Sequence, residues 1–352
     1  MQPSRPSSPL RPFHMLLFLG GGVWVIAARG LALRAANGLT IRFNLSLFND
    51  LIQQAFLLFL LLWGFATLSW MGTRPPARDG YSRSYGLRAG NALPSRATTR
   101  EEWMRGAAIG WGMVLAALLP MVLVGSLHPQ FDFSWENLGL TVVSLLTLAL
   151  LTLTVEITFR GFLFVELIAA TSSGFATFFL SLLYAVLGSL RPDATLFSVL
   201  NAFLFGILLC TCYLRTRALW IGWGIHFGWN AALAVLFGIP LSGDAGYSNV
   251  VFTSASGPQW LTGGPYGPDA AMFTSAVLLV SIVVVLRVTR QYAWEYTYTP
   301  PAPGGYPMEA TPPAGHDPSP TPLVQILGSS PSSPVANPAS PASPPEAPSS
   351  QP

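Results

Sequence analysis

Four polar side chains lie within apolar stretches, where such groups are uncommon. Glu156 and Arg160 are four residues apart in "VEITFRGFLF", and His226 and Asn230 are four residues apart in "GIHFGWN". This spacing places each pair on one helix face, and a charged residue at the bilayer centre costs roughly 2.5–3.5 kcal/mol on insertion scales. Each pair alone is also compatible with packing, as a buried ion pair or an interhelical hydrogen bond. Together, the two pairs indicate the walls of one polar cavity.

The helices that must position these residues are predicted to cross a membrane. Of the 352 residues, 51% are hydrophobic and only 9% are charged, against roughly 25% charged in soluble domains. A membrane helix needs about 20 mostly apolar residues. Eight segments approach this requirement: 13–29, 48–71, 105–127, 137–169, 174–190, 194–213, 218–238 and 271–289. We therefore predict an all-α polytopic membrane protein whose fourth segment is long or in two pieces, with a break near 171–174.

The distribution of arginine predicts the orientation in the membrane. All 18 basic residues are arginine, and six of them lie between residues 74 and 100. Further arginines follow the sixth and eighth predicted helices, whereas the loops 128–136 and 239–270 contain none. Because basic residues favour the cytoplasmic side, both termini are predicted to be cytoplasmic in the plasma or inner membrane. Arg29, Arg34 and Arg42 are the exception, since they would face outside.

The predicted segments and the composition divide the chain into four parts. Residues 1–12 form a cytoplasmic N-terminus, 13–100 a helix pair with an arginine-rich loop, and 101–290 the main membrane domain. Residues 298–352 contain 17 of the 31 prolines, a composition that predicts a disordered tail. The net charge of +3 is small and scattered, which argues against nucleic-acid binding. Cys210 and Cys212 would point away from each other on a helix, so no disulfide is expected.

Four segments in order resemble the CAAX-protease and bacteriocin-processing (CPBP) family of intramembrane metalloproteases. They are "VEITFRGFLF", "LLYAVLG", "NAFLFGILLC" and "GIHFGWN", and the resemblance covers roughly residues 100–290. The family's third motif, FxxGxxxG, reads Phe203, Gly206 and Cys210 here, with cysteine in place of the last glycine. The fourth motif, HxxxN, is intact as His226 and Asn230.

The first two motifs are degenerate. The family's EExxxR reads Val155, Glu156 and Arg160, so its first glutamate is missing, and its FxxxH reads Tyr184 to Gly188, so its histidine is missing. The resemblance implies that these two absent groups hold and deprotonate the attacking water, with assistance from a metal. A positioned general base contributes roughly 10²–10⁴ in rate, and neither valine nor glycine accepts a proton.

The resemblance also implies roles for the remaining residues. His226 and Asn230 would stabilise the oxyanion, and Glu156 and Arg160 complete the candidate catalytic set. His226 is the candidate ligand of zinc or another divalent metal, which we expect to bind weakly or not at all. The partners expected are membrane lipid and a transmembrane or lipid-modified protein segment, held without cleavage.

Two alternatives remain open at this stage. The protein could be an active intramembrane metallo-endopeptidase with a rearranged site, in which Glu156 or Glu166 replaces the lost base. It could also be a structural or transporter-like membrane protein in which the polar residues only fix helix packing. Peptide turnover with bound zinc favours the first, and tolerance of changes at His226 favours the second.

Overall fold

The computed structural model of the protein describes residues 11–72, 93–247 and 250–290. The predicted all-α class is confirmed. The helices are α1 (Arg11–Phe43), α2 (Asn49–Gly72), α3 (Thr99–Leu123), α4 (Trp135–Glu156), α5 (Phe162–Ala170), α6 (Ser173–Ser189), α7 (Leu196–Thr216), α8 (Trp220–Asn230), α9 (Gln259–Thr262) and α10 (Met272–Val288). The predicted tail and most of the predicted arginine-rich loop lie outside the described residues.

Shorter elements interrupt or connect these helices. A π-helical turn at Ile157–Gly161 joins α4 to α5, and another at Ala231–Leu236 extends α8. Short 3₁₀ turns occupy Ser46–Phe48, Gly264–Tyr266 and Pro268–Ala270. Two strands, β1 (Leu127–Phe131) and β2 (Val251–Ala255), pair antiparallel, with Leu127 opposite Ala255.

Every one of the eight predicted apolar segments contains a helix. Within the described residues, five helical runs are long and apolar enough to cross a membrane: Arg11–Phe43, Ser46–Met71, Thr99–Leu123, Trp135–Ala170 and Leu196–Thr216. The predicted break falls between α5 and α6, where the Ser172 hydroxyl accepts a hydrogen bond from the Phe175 amide and caps α6. The helices α6 and α10 are apolar but have 17 residues each, so they reach the length of a membrane helix only at its lower limit.

The first helix is longer than predicted. It continues to Phe43 instead of ending at residue 29, and 33 residues extend about 50 Å at 1.5 Å per residue. Arginine is a good helix former, so Arg29 and Arg34 do not end the helix but occupy its exposed positions. Buried Ala28, Ala32 and Ala36 continue one face at intervals of four residues, and this face explains why the helix persists.

Close packing between α3 and α8 fixes the helix that carries His226 and Asn230. Gly106 and Gly110 of α3 lie against the backbone carbonyls of Ile221 and Ile225, so close that a Cβ at either glycine would overlap them. Gly224 and Gly228 of α8 lie as closely against the α3 backbone. Small residues four apart allow two membrane helices to approach in this way.

Polar contacts identify the two ends of the bundle. Arg96, before α3, donates to the carbonyl of Thr216 at the end of α7, and Arg215 donates to Thr289 after α10. The N-terminal part of α1 reaches the same end, because His14 pairs with Glu166 near the end of α5. The β1–β2 pair and the turns before α7 and α10 lie at the other end, which holds fewer arginines.

This arrangement predicts that the end containing Arg96 and Arg215 is cytoplasmic, because arginines near helix ends favour that side. Reporter fusions within 73–92 and after residue 290 are expected to read cytoplasmic, and a fusion within the β2 loop is expected to read external. A cytoplasmic signal from the β2 loop would contradict the predicted orientation.

A second prediction concerns the α3–α8 contact. Gly110→Ala should lower stability by about 1–3 kcal/mol, the usual cost of forcing extra volume into a packed site. Gly112→Ala is the matched control, since a Cβ on Gly112 meets no atom within 4 Å. Thermal unfolding of both variants in detergent measures the difference, and equal melting temperatures would show that the helices separate without cost.

Candidate functional site

Glu156 is at the centre of the candidate site. It is the last residue of α4 and is fully buried. Its Oε1 lies 2.7 Å from Nδ1 of His226 and 3.4 Å from a terminal nitrogen of Arg160. The structure therefore joins both sequence pairs through one carboxylate oxygen. Since Glu156 and His226 are on different helices, this contact also links α4 to α8.

Arg160 lies on the π-helical turn that follows Glu156 and is 1% exposed. Its guanidinium carbon is 5.0 Å from the ring centre of Tyr184 and 5.6 Å from that of Phe159. Aromatic faces attract such a cation. Two other guanidinium nitrogens, Nε and a terminal nitrogen, have no hydrogen-bond partner within the described part of the chain. Arg160 is therefore held mainly by one carboxylate and two rings.

A cavity of about 140 Å³ lies beside this cluster. Its walls include Val155, Tyr184, His226 and Asn230, so two of the four predicted site residues face it. Glu156 and Arg160 stand behind the wall, in the packed interior. Nδ1 of His226 is engaged by Glu156, which leaves the other ring nitrogen as the polar atom that this side chain can offer to a ligand.

Of the two positions where the resemblance implies a glutamate and a histidine, one lines the cavity and the other lies near residues that line it. Val155 lines it directly. A Cβ built on Gly188 would lie 3.8 Å from the Ala202 side chain and 4.0 Å from the Tyr266 hydroxyl. Tyr266 itself lines the cavity and is buried. A side chain at position 188 that extends toward this hydroxyl would therefore contact Tyr266.

The donor groups at the site do not fit a zinc ion. Structural and catalytic zinc sites use three or four His, Cys, Asp or Glu ligands. The described residues contain no group of three such side chains that could hold a metal. His226 is the one predicted ligand, and one of its two nitrogens is already bonded to Glu156.

Glu166, the other candidate for a substitute base, lies elsewhere. Its Oε2 is 2.7 Å from Nδ1 of His14 on α1, and Glu166 does not line the cavity. Cys210 and Cys212 are both buried and unbonded to each other, as predicted. Gly206, the retained glycine of the third motif, packs against Ser181 of α6.

The sequence interpretation missed a second polar wall of the cavity. Asp269, in the turn before α10, accepts hydrogen bonds from the Trp229 indole at 2.9 Å and the Ser242 hydroxyl at 2.5 Å. Burial raises the pKa of the Asp269 carboxyl, and the two donors act in the opposite direction. The signal available in the sequence was an aspartate in the glycine-rich "GGPYGPDAA", but nothing there specified its partners.

These features define an all-α polytopic membrane protein with a polar cavity beside a buried carboxylate–imidazole contact. Residues 137–232 match the family model described as Rce1-like, type II CAAX prenyl endopeptidase. The match extends from α4 to the π turn after α8 and contains all four motifs, so the predicted resemblance is confirmed over this segment. Comparisons with curated proteins and with solved structures gave no match.

The geometry predicts that Glu156 and Arg160 are energetically coupled. Glu156→Ala should cost about 3–5 kcal/mol, because it leaves Arg160 buried without its counter-ion, whereas the double variant with Arg160→Met should cost less. Unfolding in detergent measures both.

The exposed pair Glu101 and Arg105 has the same spacing at 3.2 Å and serves as the control. Coupling there should be about 0.3–0.5 kcal/mol. Simple additivity at Glu156 and Arg160 would rule out the coupling.

Proposed function

We propose that this protein is a CAAX-endopeptidase-like membrane protein that does not activate water by the family's route. Its cavity would hold a transmembrane or lipid-modified protein segment without cleaving it. The observation that carries this proposal is the position of Val155. At the place where the resemblance assigns the catalytic base, an isopropyl group faces the cavity.

The second-motif position supports the same proposal. Gly188 offers no ligand or proton acceptor, and the Tyr266 hydroxyl lies close to where a side chain there would begin. A phenol ionises near pH 10 in water, so Tyr266 is a poor base at neutral pH. The donor set supports weak or absent metal binding, because the described residues bring no third metal-ligating side chain to His226.

The retained groups support binding. The side-chain amide of Asn230 borders the cavity and has no hydrogen-bond partner within the described residues, so it can donate to a carbonyl of a bound segment. Leu151, Val155 and Phe205 give the same cavity an apolar wall. A segment that combines apolar side chains with backbone carbonyls fits these surfaces. Membrane lipid would contact the exposed apolar faces of the helices, in the plasma or inner membrane.

A second candidate is favoured by the contact between His226 and Glu156. A carboxylate that accepts from one imidazole nitrogen leaves the other able to take a proton from water, as in hydrolytic triads. Asn230, one helical turn further on, could then donate to the oxyanion. In this alternative the protein is an active endopeptidase with a rearranged site.

Cleavage and binding of a farnesylated CAAX-type peptide distinguish the two candidates. We expect the purified wild type to bind the labelled peptide, to release no product and to contain well under one zinc per chain. Val155→Ala should change none of these, and Asn230→Ala should weaken binding. Product release abolished by His226→Ala would overturn the proposal and support the second candidate.

Restoring the missing residues tests why the wild type is inactive. The pair Val155→Glu and Gly188→His should gain zinc before activity, because catalytic geometry must be correct to about 0.5 Å. Addition of Tyr266→Ala should raise the zinc content further by making room for the imidazole. Zinc measured per mole of chain provides the comparison, and stoichiometric zinc in the wild type would contradict the proposal.

A further inference from the structure

Two oppositely charged side chains outside the four motifs also line the cavity. Asp269 lies in the turn before α10, and Arg191 lies between α6 and α7. Within the described residues neither forms an ion pair with the other or with a third group. Both charges therefore remain available to a ligand that enters this part of the cavity.

Asp269 is held rigidly in place. Trp229 and Ser242 donate to its two carboxylate oxygens, and the Asn201 amide donates to its backbone carbonyl at 2.9 Å. Gly267, with a φ of 87°, allows the turn to pass closely over Pro240. A carboxylate that is positioned before a ligand arrives binds without the cost of ordering it.

Arg191 occupies the outer part of the same wall. It is exposed, and one terminal nitrogen donates to the Ser242 carbonyl at 3.3 Å. Since Ser242 also donates to Asp269, one residue separates the two charges. The remaining guanidinium donors of Arg191 can bind an anionic oxygen.

Aromatic side chains also line the cavity. Tyr184, Phe205, Trp229, Tyr247 and Tyr266 all line it. Aromatic faces together with a carboxylate suit an ammonium group, which rings attract through their negative faces. A purely cationic ligand would be opposed by Arg191, and a purely anionic one by Asp269.

We propose that this wall of the cavity binds a small zwitterionic group, with its ammonium on Asp269 among the aromatic rings and its phosphate on Arg191. The cavity volume of about 140 Å³ suits a group of headgroup size. The ligand's source is either a phospholipid whose headgroup enters the cavity or a free phosphorylated amine. This proposal does not require that the protein bind or cleave a peptide.

Calorimetry on the full-length chain in nanodiscs of an anionic lipid tests the proposal with three probes. Phosphoethanolamine carries both charges, ethanolamine carries the cation, and ethyl phosphate carries the anion. Phosphoethanolamine should bind at least tenfold more tightly than either single-charge probe. Failure of all three to bind, or equal affinities for all three, would overturn the proposal.

Two variants test which residue binds each charged group of the ligand. Asp269→Asn should weaken the binding of phosphoethanolamine and of ethanolamine at least tenfold and leave the binding of ethyl phosphate unchanged. Arg191→Gln should weaken the binding of ethyl phosphate and leave the binding of ethanolamine unchanged. Glu136→Gln and Arg105→Gln are matched controls on residues that do not line the cavity. Because Arg191 is exposed, its variant remains informative even if Asp269→Asn fails to fold.

Mass spectrometry of protein extracted in the presence of phosphatidylethanolamine distinguishes a phospholipid headgroup from a free phosphorylated amine. Retention of that lipid by the wild type but not by Asp269→Asn supports a headgroup. Displacement by free phosphoethanolamine without retained lipid supports a soluble phosphorylated amine. Zwitterion affinity that is identical in wild type and both variants refutes the site, whatever the outcome of the peptide assay.

Discussion

The buried carboxylate of Glu156 is the constraint on which the rest of the membrane domain depends. An isolated carboxylate is costly in an apolar interior, so it must be paired and hydrogen-bonded. Arg160 supplies the opposite charge from the next turn of the same chain segment, and His226 supplies a donor from α8. For His226 to reach this carboxylate, α8 must lie at one depth and one rotation, and the glycine contact with α3 holds it there.

The need to pair the buried carboxylate explains why the degenerate motifs still contain some of their polar residues and lack others. Arg160 and His226 both contact Glu156, and Tyr184 contacts Arg160, so replacement of any one leaves a buried charge with fewer partners. Val155 faces the cavity instead. A change there strands no partner in the interior, and the same holds for Gly188, which lies beside the cavity. Substitutions at these two positions would therefore leave the contacts of the buried carboxylate unaffected.

Periodicity and composition were sufficient to locate the helices and the break after α5, because long apolar runs and a capping serine have local causes. The spacing of Glu156 and Arg160 also predicted their pairing, but the contact between Glu156 and His226 was not predicted, because it joins two helices that are far apart in the sequence. The π turns could not be predicted from the sequence either, because they depend on packing around Glu156 and Asn230 rather than on local propensity. The length of α1 was underestimated because an arginine such as Arg29 is expected at a membrane boundary, although the helix continues beyond it.

The surroundings of Asp269 could not be predicted from the sequence for a different reason. Its partners, Trp229 and Ser242, come from α8 and from the loop after it, and only the folded arrangement brings them to one carboxylate. The result is a cavity with two chemically distinct walls. One wall is formed by Val155, His226 and Asn230, at positions of the first and fourth motifs. The other wall, with Asp269 and Arg191, carries separated opposite charges, and the ligand proposed for it does not require that the first wall support catalysis.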